Sequence, residues 1–143
     1  MKKILLLIAV MLFITSSVIA ETNTANTGER DWDTPGTWST GSVPTSASQV
    51  VIPDGAIITV DAAATMESIN VQSGGYIFIN NAMTVTGASN ASTVTGSMTV
   101  SATLTFTAND LTVAGSMSVD KAKQVIFSST SSEIANTGTI TCN

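Results

Sequence analysis

The chain has 143 residues and a formal net charge of −5, and only 10% of its residues are charged. It contains no histidine, which removes the commonest general base and the commonest transition-metal ligand. After the first twenty residues the cations are Arg30, Lys121 and Lys123, which form no cluster. We therefore expect neither nucleic acid nor an anionic membrane surface as a partner.

Residues 1–20 have the pattern of a secretory signal peptide. Two lysines precede an apolar stretch at 4–14, and small or β-branched residues suit cleavage after Ala20. The apolar run is shorter than the roughly 20 residues that span a bilayer, so we predict no membrane span after cleavage. The secreted form, extracellular or at the cell surface, is then 21–143, and loss of two lysines takes its net charge from −5 to −7.

The next two segments are predicted to precede the main fold. Residues 21–30 are polar and unpatterned, so we expect a flexible lead-in. Residues 31–48 hold both tryptophans, Trp32 and Trp38, and two of the three prolines. The repeats that follow predict a solenoid, whose first turn must be covered. We therefore predict an N-terminal cap in which the tryptophans cover that turn; the competing interpretation is an aromatic platform that binds sugar.

A glycine then recurs about every twenty residues, and each one leads into a short strand-like segment. The intervals are 20, 21, 19 and 23 residues, and the positions are Gly55, Gly75, Gly96, Gly115 and Gly138. A repeat of this length indicates an architecture whose unit is one turn, or rung, of a β-solenoid. Each glycine is expected at a corner that needs a positive φ or leaves no room for a Cβ atom.

Apolar residues alternate with Thr or Ser along residues 49–143. Pairs such as Met98/Val100 and Leu104/Phe106 are separated by one residue, which is the period of a strand with one face buried. Most intervals contain three such pairs. We therefore predict an all-β fold, a right-handed parallel β-solenoid with about 20 residues and three short strands per rung and roughly four to five rungs. An antiparallel β-sandwich is the alternative.

Two details refine this prediction. The interval drifts from 19 to 23 residues, whereas left-handed hexapeptide solenoids keep a strict rhythm, and this difference favours the right-handed type. Asparagines between the strand segments, such as Asn80, Asn81 and Asn109, are expected at corners, because Asn tolerates a left-handed backbone.

Residues 36–80 resemble the opening of secreted parallel β-helix proteins of the pectate-lyase type and of the G8 domain. The shared pattern is a Trp, a Gly, a Val-Pro turn and strands followed by glycines, and it falls on Trp38, Gly41, Val43-Pro44, Val50 to Ile52, Gly55, Ile58 to Val60, Ile69 to Val71 and Gly74-Gly75. The chain departs from many relatives at positions 47–50, where it is uncharged. The resemblance implies a secreted, often modular surface or matrix protein, and it carries over no active-site residue.

The acidic residues do not follow a pattern that predicts a pair of catalytic carboxylates. Asp31 and Asp33 are the nearest pair, and the others are scattered singly, whereas glycoside hydrolysis needs two carboxylates at a set separation. We expect no catalytic residue, no metal site and no cofactor. The leading hypothesis is a non-enzymatic secreted or cell-surface structural or adhesive module whose partners are cell-surface or matrix components, including glycans. The alternative is a carbohydrate-binding or carbohydrate-active β-helix, a lyase or hydrolase, or a fragment of one.

Threonines at matching offsets from their glycines suggest a third function. Thr84 and Thr105 both lie nine residues after a rung glycine, and Thr86 and Thr107 both lie eleven residues after one. They are predicted to stack as a flat Thr ladder, which is the kind of surface that ice-binding solenoids display. Threonine is also an ordinary outward residue of a strand.

The C-terminal end carries the single cysteine, Cys142. The repeat from Gly138 is cut short, so we expect an uncapped rung with free strand edges. An unpaired cysteine in a secreted chain suggests an intermolecular thiol. We predict either end-to-end self-association at this end or continuation of the solenoid in a longer chain.

Overall fold

The structure is a computed structural model that describes residues 20–87, 90–129 and 132–143. The predicted signal peptide lies outside these ranges except for its last residue. Within the described ranges no helix is long and apolar enough to cross a membrane. The helical structure found there is one 3-10 turn, Pro35–Thr37.

The described residues form sixteen short strands. In chain order they are β1 (Glu21–Thr24), β2 (Gly28–Asp31), β3 (Ser48–Ile52), β4 (Ala56–Val60), β5 (Ala64–Met66), β6 (Ser68–Val71), β7 (Tyr76–Ile79), β8 (Met83–Val85), β9 (Ser92–Val94), β10 (Ser97–Val100), β11 (Thr103–Phe106), β12 (Leu111–Val113), β13 (Ser116–Val119), β14 (Gln124–Phe127), β15 (Ile134–Asn136) and β16 (Thr139–Cys142).

The strands stack into three parallel sheets, which are the three faces of a solenoid. The first face has the order β1-β3-β6-β9-β12-β15, the second β2-β4-β7-β10-β13-β16 and the third β5-β8-β11-β14. The chain visits the faces in this fixed order, so four complete rungs run from β3 to β14, with a two-strand partial rung at each end. The predicted right-handed parallel β-solenoid is confirmed, and the parallel pairing excludes the antiparallel β-sandwich.

Every other residue of a strand points into the solenoid and sits directly above its counterpart one rung below. On the second face one inward column consists of Ile58, Ile77, Met98, Met117 and Ile140. The first four are buried and the last is half-buried. Burial of each such side chain contributes about 1.5–3 kcal/mol. The repeated alternation in the sequence is therefore the direct source of a continuous core.

The rung glycines fall into two groups with different physical reasons. Gly55 has a φ of +74°, and a Cβ atom there would meet only Thr27 Cγ2, at 3.8 Å, so the glycine is needed for its backbone conformation. The other four have no room for a side chain. A Cβ atom at Gly96 would overlap the carbonyl oxygens of Gln72 and Gly75, and Gly115 and Gly138 each sit in the same way on the glycine one rung earlier. These four form a column in which backbone packs on backbone.

Residues 21–30 are not a flexible lead-in, which corrects the prediction from the sequence. They form β1 and β2, which pair in parallel with β3 and β4. The segment lacks apolar alternation because it belongs to the end rung, whose inward positions are small or polar. Asn23, for example, is buried and its Nδ2 donates to the Ser42 carbonyl at 2.9 Å. The solenoid therefore begins at residue 21 rather than at residue 49.

Asparagine side chains, rather than left-handed asparagine backbones, hold the corners. Asn80 Nδ2 donates to Asp61 Oδ1, and Asn81 Nδ2 donates to the Asp61 carbonyl, both at 2.9 Å. Among the described residues Ala122 alone combines a side chain with a positive φ, 62°. The expectation of left-handed backbone at Asn80, Asn81 and Asn109 was therefore wrong, because their side chains bridge neighbouring rungs instead.

Asn109 makes the most extensive of these bridges. It is buried, and its Nδ2 donates to the carbonyl oxygens of Gly87, at 2.8 Å, and of Asn90. Its Oδ1 accepts from the backbone N–H of Ser92 at 2.8 Å. One side chain thus satisfies three polar backbone groups at the corner between β8 and β9, groups that would be costly to bury unpaired.

Candidate functional site

Trp32 and Trp38 lie inside the N-terminal end of the solenoid. They are 3% and 2% exposed, and their rings meet edge to face with centroids 4.8 Å apart. Trp38 Nε1 donates to the Trp32 carbonyl at 2.8 Å, so the polar edge of the indole is satisfied inside the core. Because both rings are buried, they offer no open face on which a sugar could stack.

Residues 32–47, which we call the capping segment, also cover a strand edge. Its residues 37–39 run antiparallel beside β1, on the side away from β3. Asn26 N–H donates to the Thr37 carbonyl at 2.7 Å, and Ser39 N–H donates to the Thr24 carbonyl at 2.8 Å. The edge of the first face is therefore covered at residues 24–26, which hinders the addition of a further parallel strand there.

An aromatic pair that the sequence analysis did not select lies on the outer surface of the second face. Tyr76 and Phe78 both point outward from β7, and their rings stack with centroids 5.5 Å apart and an interplanar angle of 25°. Tyr76 is 41% exposed, and Phe78 is half-buried. Ile57 is the neighbour of Tyr76 on the preceding rung. We call Ile57, Tyr76 and Phe78 the aromatic patch.

Hydroxyl groups and carboxylates surround the aromatic patch. On the next rung Ser97 aligns with Tyr76 and Thr99 with Phe78, and the column of Ser and Thr continues to the end of the face. On the other side Glu29 aligns with Ile57, two rungs from Tyr76. The second face is thus a flat sheet with one apolar area among small polar groups. The sequence contains a signal of this patch, because the segment YIFI, residues 76–79, has apolar residues at both its inward and its outward positions.

The scattered acidic residues have a structural explanation. Carboxylate oxygens of Asp61, Asp110 and Asp120 accept hydrogen bonds from residues 19 to 23 positions away along the chain, on a neighbouring rung, at 2.7–2.9 Å. Glu67 Oε1 is 3.4 Å from Asn90 Nδ2, and its Oε2 is buried without a hydrogen-bond partner among the described residues. These carboxylates therefore connect the corners of neighbouring rungs, and they lie apart from one another.

The described residues form no cluster that could hold a metal ion. Within them no three His, Cys, Asp or Glu side chains lie close enough to hold one metal ion. Asp31 and Asp33, the acidic pair noted in the sequence, flank the buried Trp32 at the capped end and are exposed. Lys121 and Lys123 lie at the corner before β14, on the opposite end of the solenoid.

The predicted Thr ladder exists in part. Thr84 and Thr105 align on the outer surface of the third face, and Thr65 extends the column to three rungs before Ile126 interrupts it. Thr86 and Thr107 follow the strands, and their hydroxyls donate to backbone carbonyls of the rung before. The hydroxyls of this second pair are therefore bound to the solenoid backbone, although Thr107 itself is exposed. Ice binding stays a prediction, which a thermal-hysteresis measurement with Thr105→Leu tests.

The C-terminal end of the solenoid is open. The cavity there has a volume of about 410 Å³ and is lined mainly by inward residues, among them Met117, Val125, Ile134, Ile140 and Cys142. Cys142 occupies an inward position, since it aligns with Val119 of the rung below, and its thiol is exposed and unpaired. In the described part of the chain, large apolar or aromatic side chains meet solvent at the open end, at the aromatic patch and, singly, at Ile126 on the third face.

These features define a parallel β-solenoid that is capped at its N-terminal end and open at its C-terminal end. No protein-family model matches the chain, and no curated protein or solved structure gives a match to it. The resemblance to G8 domains and pectate-lyase-like proteins therefore rests on the pattern within residues 36–80.

Proposed function

We propose that the protein is a non-enzymatic structural or adhesive module that is secreted or displayed at the cell surface. The observation that carries this proposal is the aromatic patch, an exposed apolar area on a flat and otherwise small-polar sheet. Exposed apolar patches rimmed by polar groups are typical of binding surfaces. A scaffold role is supported by the hydrogen bonds with which the carboxylates of Asp61, Asp110 and Asp120 join corners of neighbouring rungs. It is also supported by the resemblance of residues 36–80 to modular surface proteins.

Glycans are the second candidate, as the ligand of this adhesive surface. A stacked Tyr–Phe pair offers a flat apolar face, and neighbouring hydroxyls such as those of Ser97 and Thr99 offer hydrogen bonds. The carboxylates of Glu29 and Asp31 lie on the same face toward the capped end. Since the secreted form is also acidic overall, neutral glycans fit this surface better than acidic ones.

The glycan hypothesis predicts that Tyr76→Ala weakens binding of neutral glycans on an array by about five- to tenfold, because one stacking contact is lost. Ile126→Ser is the matched control, since it removes an exposed apolar side chain from a different face. Equal binding by both variants would reject the patch as the site, and absence of glycan binding by the unaltered chain would reject glycans as the ligand.

The non-enzymatic assignment has a separate test. The secreted form, incubated with neutral and acidic polysaccharides, is expected to release no new reducing ends or unsaturated products. Depolymerisation that is abolished by substitution of one carboxylate, Asp31→Asn for example, would contradict the proposal and favour a carbohydrate-active β-helix. Glu29→Gln serves as the control, because it removes a nearby charge on the same strand.

A further inference from the structure

Two carboxylates that have no partner within the described residues share the outer surface of the second face with the aromatic patch. Glu29 and Asp31 occupy outward positions of β2, because they align with the outward residues Ile57 and Thr59 of β4. Both are exposed, and among the described residues neither carboxylate accepts a hydrogen bond or makes an ion pair. Each is therefore available to a ligand that approaches this surface.

The strands of the second face carry no basic side chain at an outward position in the described part of the chain. Arg30 belongs to β2 but aligns with an inward residue of β4, and its Nε donates to the Thr27 carbonyl at 3.0 Å. Lys121 and Lys123 lie at the corner after β13, far along the face from β2. The field over the aromatic patch is therefore negative, which favours a cationic ligand over an anionic one.

Two outward columns of the second face each contain a carboxylate and, two rungs later, an aromatic ring. The columns are Glu29, Ile57 and Tyr76 in one, and Asp31, Thr59 and Phe78 in the other. Neighbouring rungs are about 4.8 Å apart, so the carboxylates lie about 10 Å from the rings along the solenoid axis. One rung step is comparable with the length of one β-linked sugar unit. An extended glycan that stacks on the rings and follows the axis therefore reaches the carboxylates within a few units.

Other occupants fit this face less well. A second copy of the chain would bring the same sign of charge, because the net charge is −5. A basic peptide commonly binds a sheet by adding a strand at a free edge, but β4, β7 and β10 are paired on both sides. A flat pair of rings beside the hydroxyls of Ser97 and Thr99 matches the apolar face and the hydroxyl groups of a sugar ring.

We propose that the second face binds an amine-bearing glycan, an inference that rests on the proposed adhesive function and names the class of glycan that this surface takes. Sugar rings stack on Tyr76 and Phe78, and protonated amines of the same glycan pair with Glu29 and Asp31. The glycan lies along the solenoid axis, so the stacking contacts and the ion pairs are made by different sugar units. The amines raise the affinity above that of a neutral glycan with the same backbone, and glycans that bear carboxylates are repelled.

Calorimetric titration of the chain with glucosamine oligomers and with N-acetylglucosamine oligomers of the same length tests the proposal. The two ligands share the sugar backbone and differ in charge at a pH where the free amines are protonated. The amine-bearing oligomer is expected to bind about three- to tenfold more tightly, which is the gain from one or two exposed ion pairs. Added salt should remove most of this difference, because exposed ion pairs are screened.

Substitution of the two carboxylates separates the ion pairs from the stacking. Glu29→Gln/Asp31→Asn is expected to lower the affinity for the amine-bearing oligomer to that for the acetylated one, whose own affinity should not change. Glu21→Gln/Glu133→Gln is the matched control, because it removes two exposed carboxylates from β1 and from the residue before β15, on the first face. This control should keep the preference for the amine. Tyr76→Ala should weaken the binding of both oligomers.

The possible outcomes distinguish the choice of glycan from the proposed function. Equal affinity for the two oligomers, or equal effects of the two double variants, would overturn the amine-bearing glycan, while glycan binding that depends on Tyr76 would survive. Tighter binding of an oligolysine peptide than of the amine-bearing oligomer, lost in Glu29→Gln/Asp31→Asn, would show that the carboxylates serve a basic peptide instead. Failure of both oligomers to bind would contradict the glycan hypothesis and the amine-bearing glycan together.

Discussion

At the scale of single residues, the most constrained positions are the glycines of the backbone-on-backbone column. Ser97 N–H donates to the Gly75 carbonyl at 3.0 Å, and Ser116 N–H donates to the Gly96 carbonyl at 2.9 Å. The same carbonyls occupy the space where a Cβ atom of the next glycine would stand. A side chain at Gly96 or Gly115 can be accommodated only if the rungs move apart, which would strain the hydrogen bonds and the core at once.

Gly96→Ala is therefore expected to lower the free energy of unfolding by about 2–3 kcal/mol, as overpacking of a tight site does. Gly36→Ala is the control, because its Cβ atom would meet nothing within 4 Å and its φ is not positive. It should change stability by less than about 0.5 kcal/mol. Chemical denaturation followed by circular dichroism measures both, and equal effects would contradict the packing explanation.

The elements could be predicted from the sequence wherever the inward positions are apolar. The pairs Met98/Val100 and Leu104/Phe106 mark β10 and β11, and both were placed with the correct residues inward. β1 was missed because its inward residue Asn23 is polar and is satisfied by the capping segment, a contact that no local pattern reveals. The strand forms because its backbone pairs with β3, and that information lies 27 residues further along the chain.

The candidate surfaces were less predictable than the fold. The tryptophans attract attention in the sequence because they are large and rare, yet the structure buries both. The outward aromatic residues, Tyr76 and Phe78, are ordinary in an apolar strand, and their outward direction follows from the register of β7 between β4 and β10. Which of two apolar faces points outward is decided by packing against neighbouring rungs rather than by the segment itself.

Among the elements, the capping segment is expected to be the largest single contributor at the N-terminal end. Trp38→Ala should lower the free energy of unfolding by about 3–5 kcal/mol, since it empties a large buried site beside Trp32. Trp38→Phe keeps a ring but leaves the Trp32 carbonyl without its donor, and it should cost about 1–3 kcal/mol. If the two variants were equally stable, the ring would not be what closes the first rung.

At the scale of the whole molecule, each strand in the described part of the chain pairs only with strands of the neighbouring rungs. Strands β4, β7 and β10 are paired on both sides, whereas β16 is paired on one side only. The stability of such a ladder is approximately the sum of rung terms and nearest-neighbour terms, so opening can begin at an end without disturbing the middle. The two ends differ, because β1 has a second neighbour in residues 37–39 of the capping segment, whereas β15 has no second neighbour among the described residues.

Native-state hydrogen exchange should therefore show a gradient rather than one cooperative unit. In dilute monomer the amides of β15 and β16 are expected to exchange fastest, those of β7 and β10 slowest, and those of β1 in between because the capping segment closes its edge. Trp38→Ala should raise exchange in β1 and β3 first and leave β13 unchanged, since damage spreads only through neighbouring rungs. Uniform loss of protection along the whole chain in this variant would show that the solenoid unfolds as one unit, and the nearest-neighbour description would then be wrong.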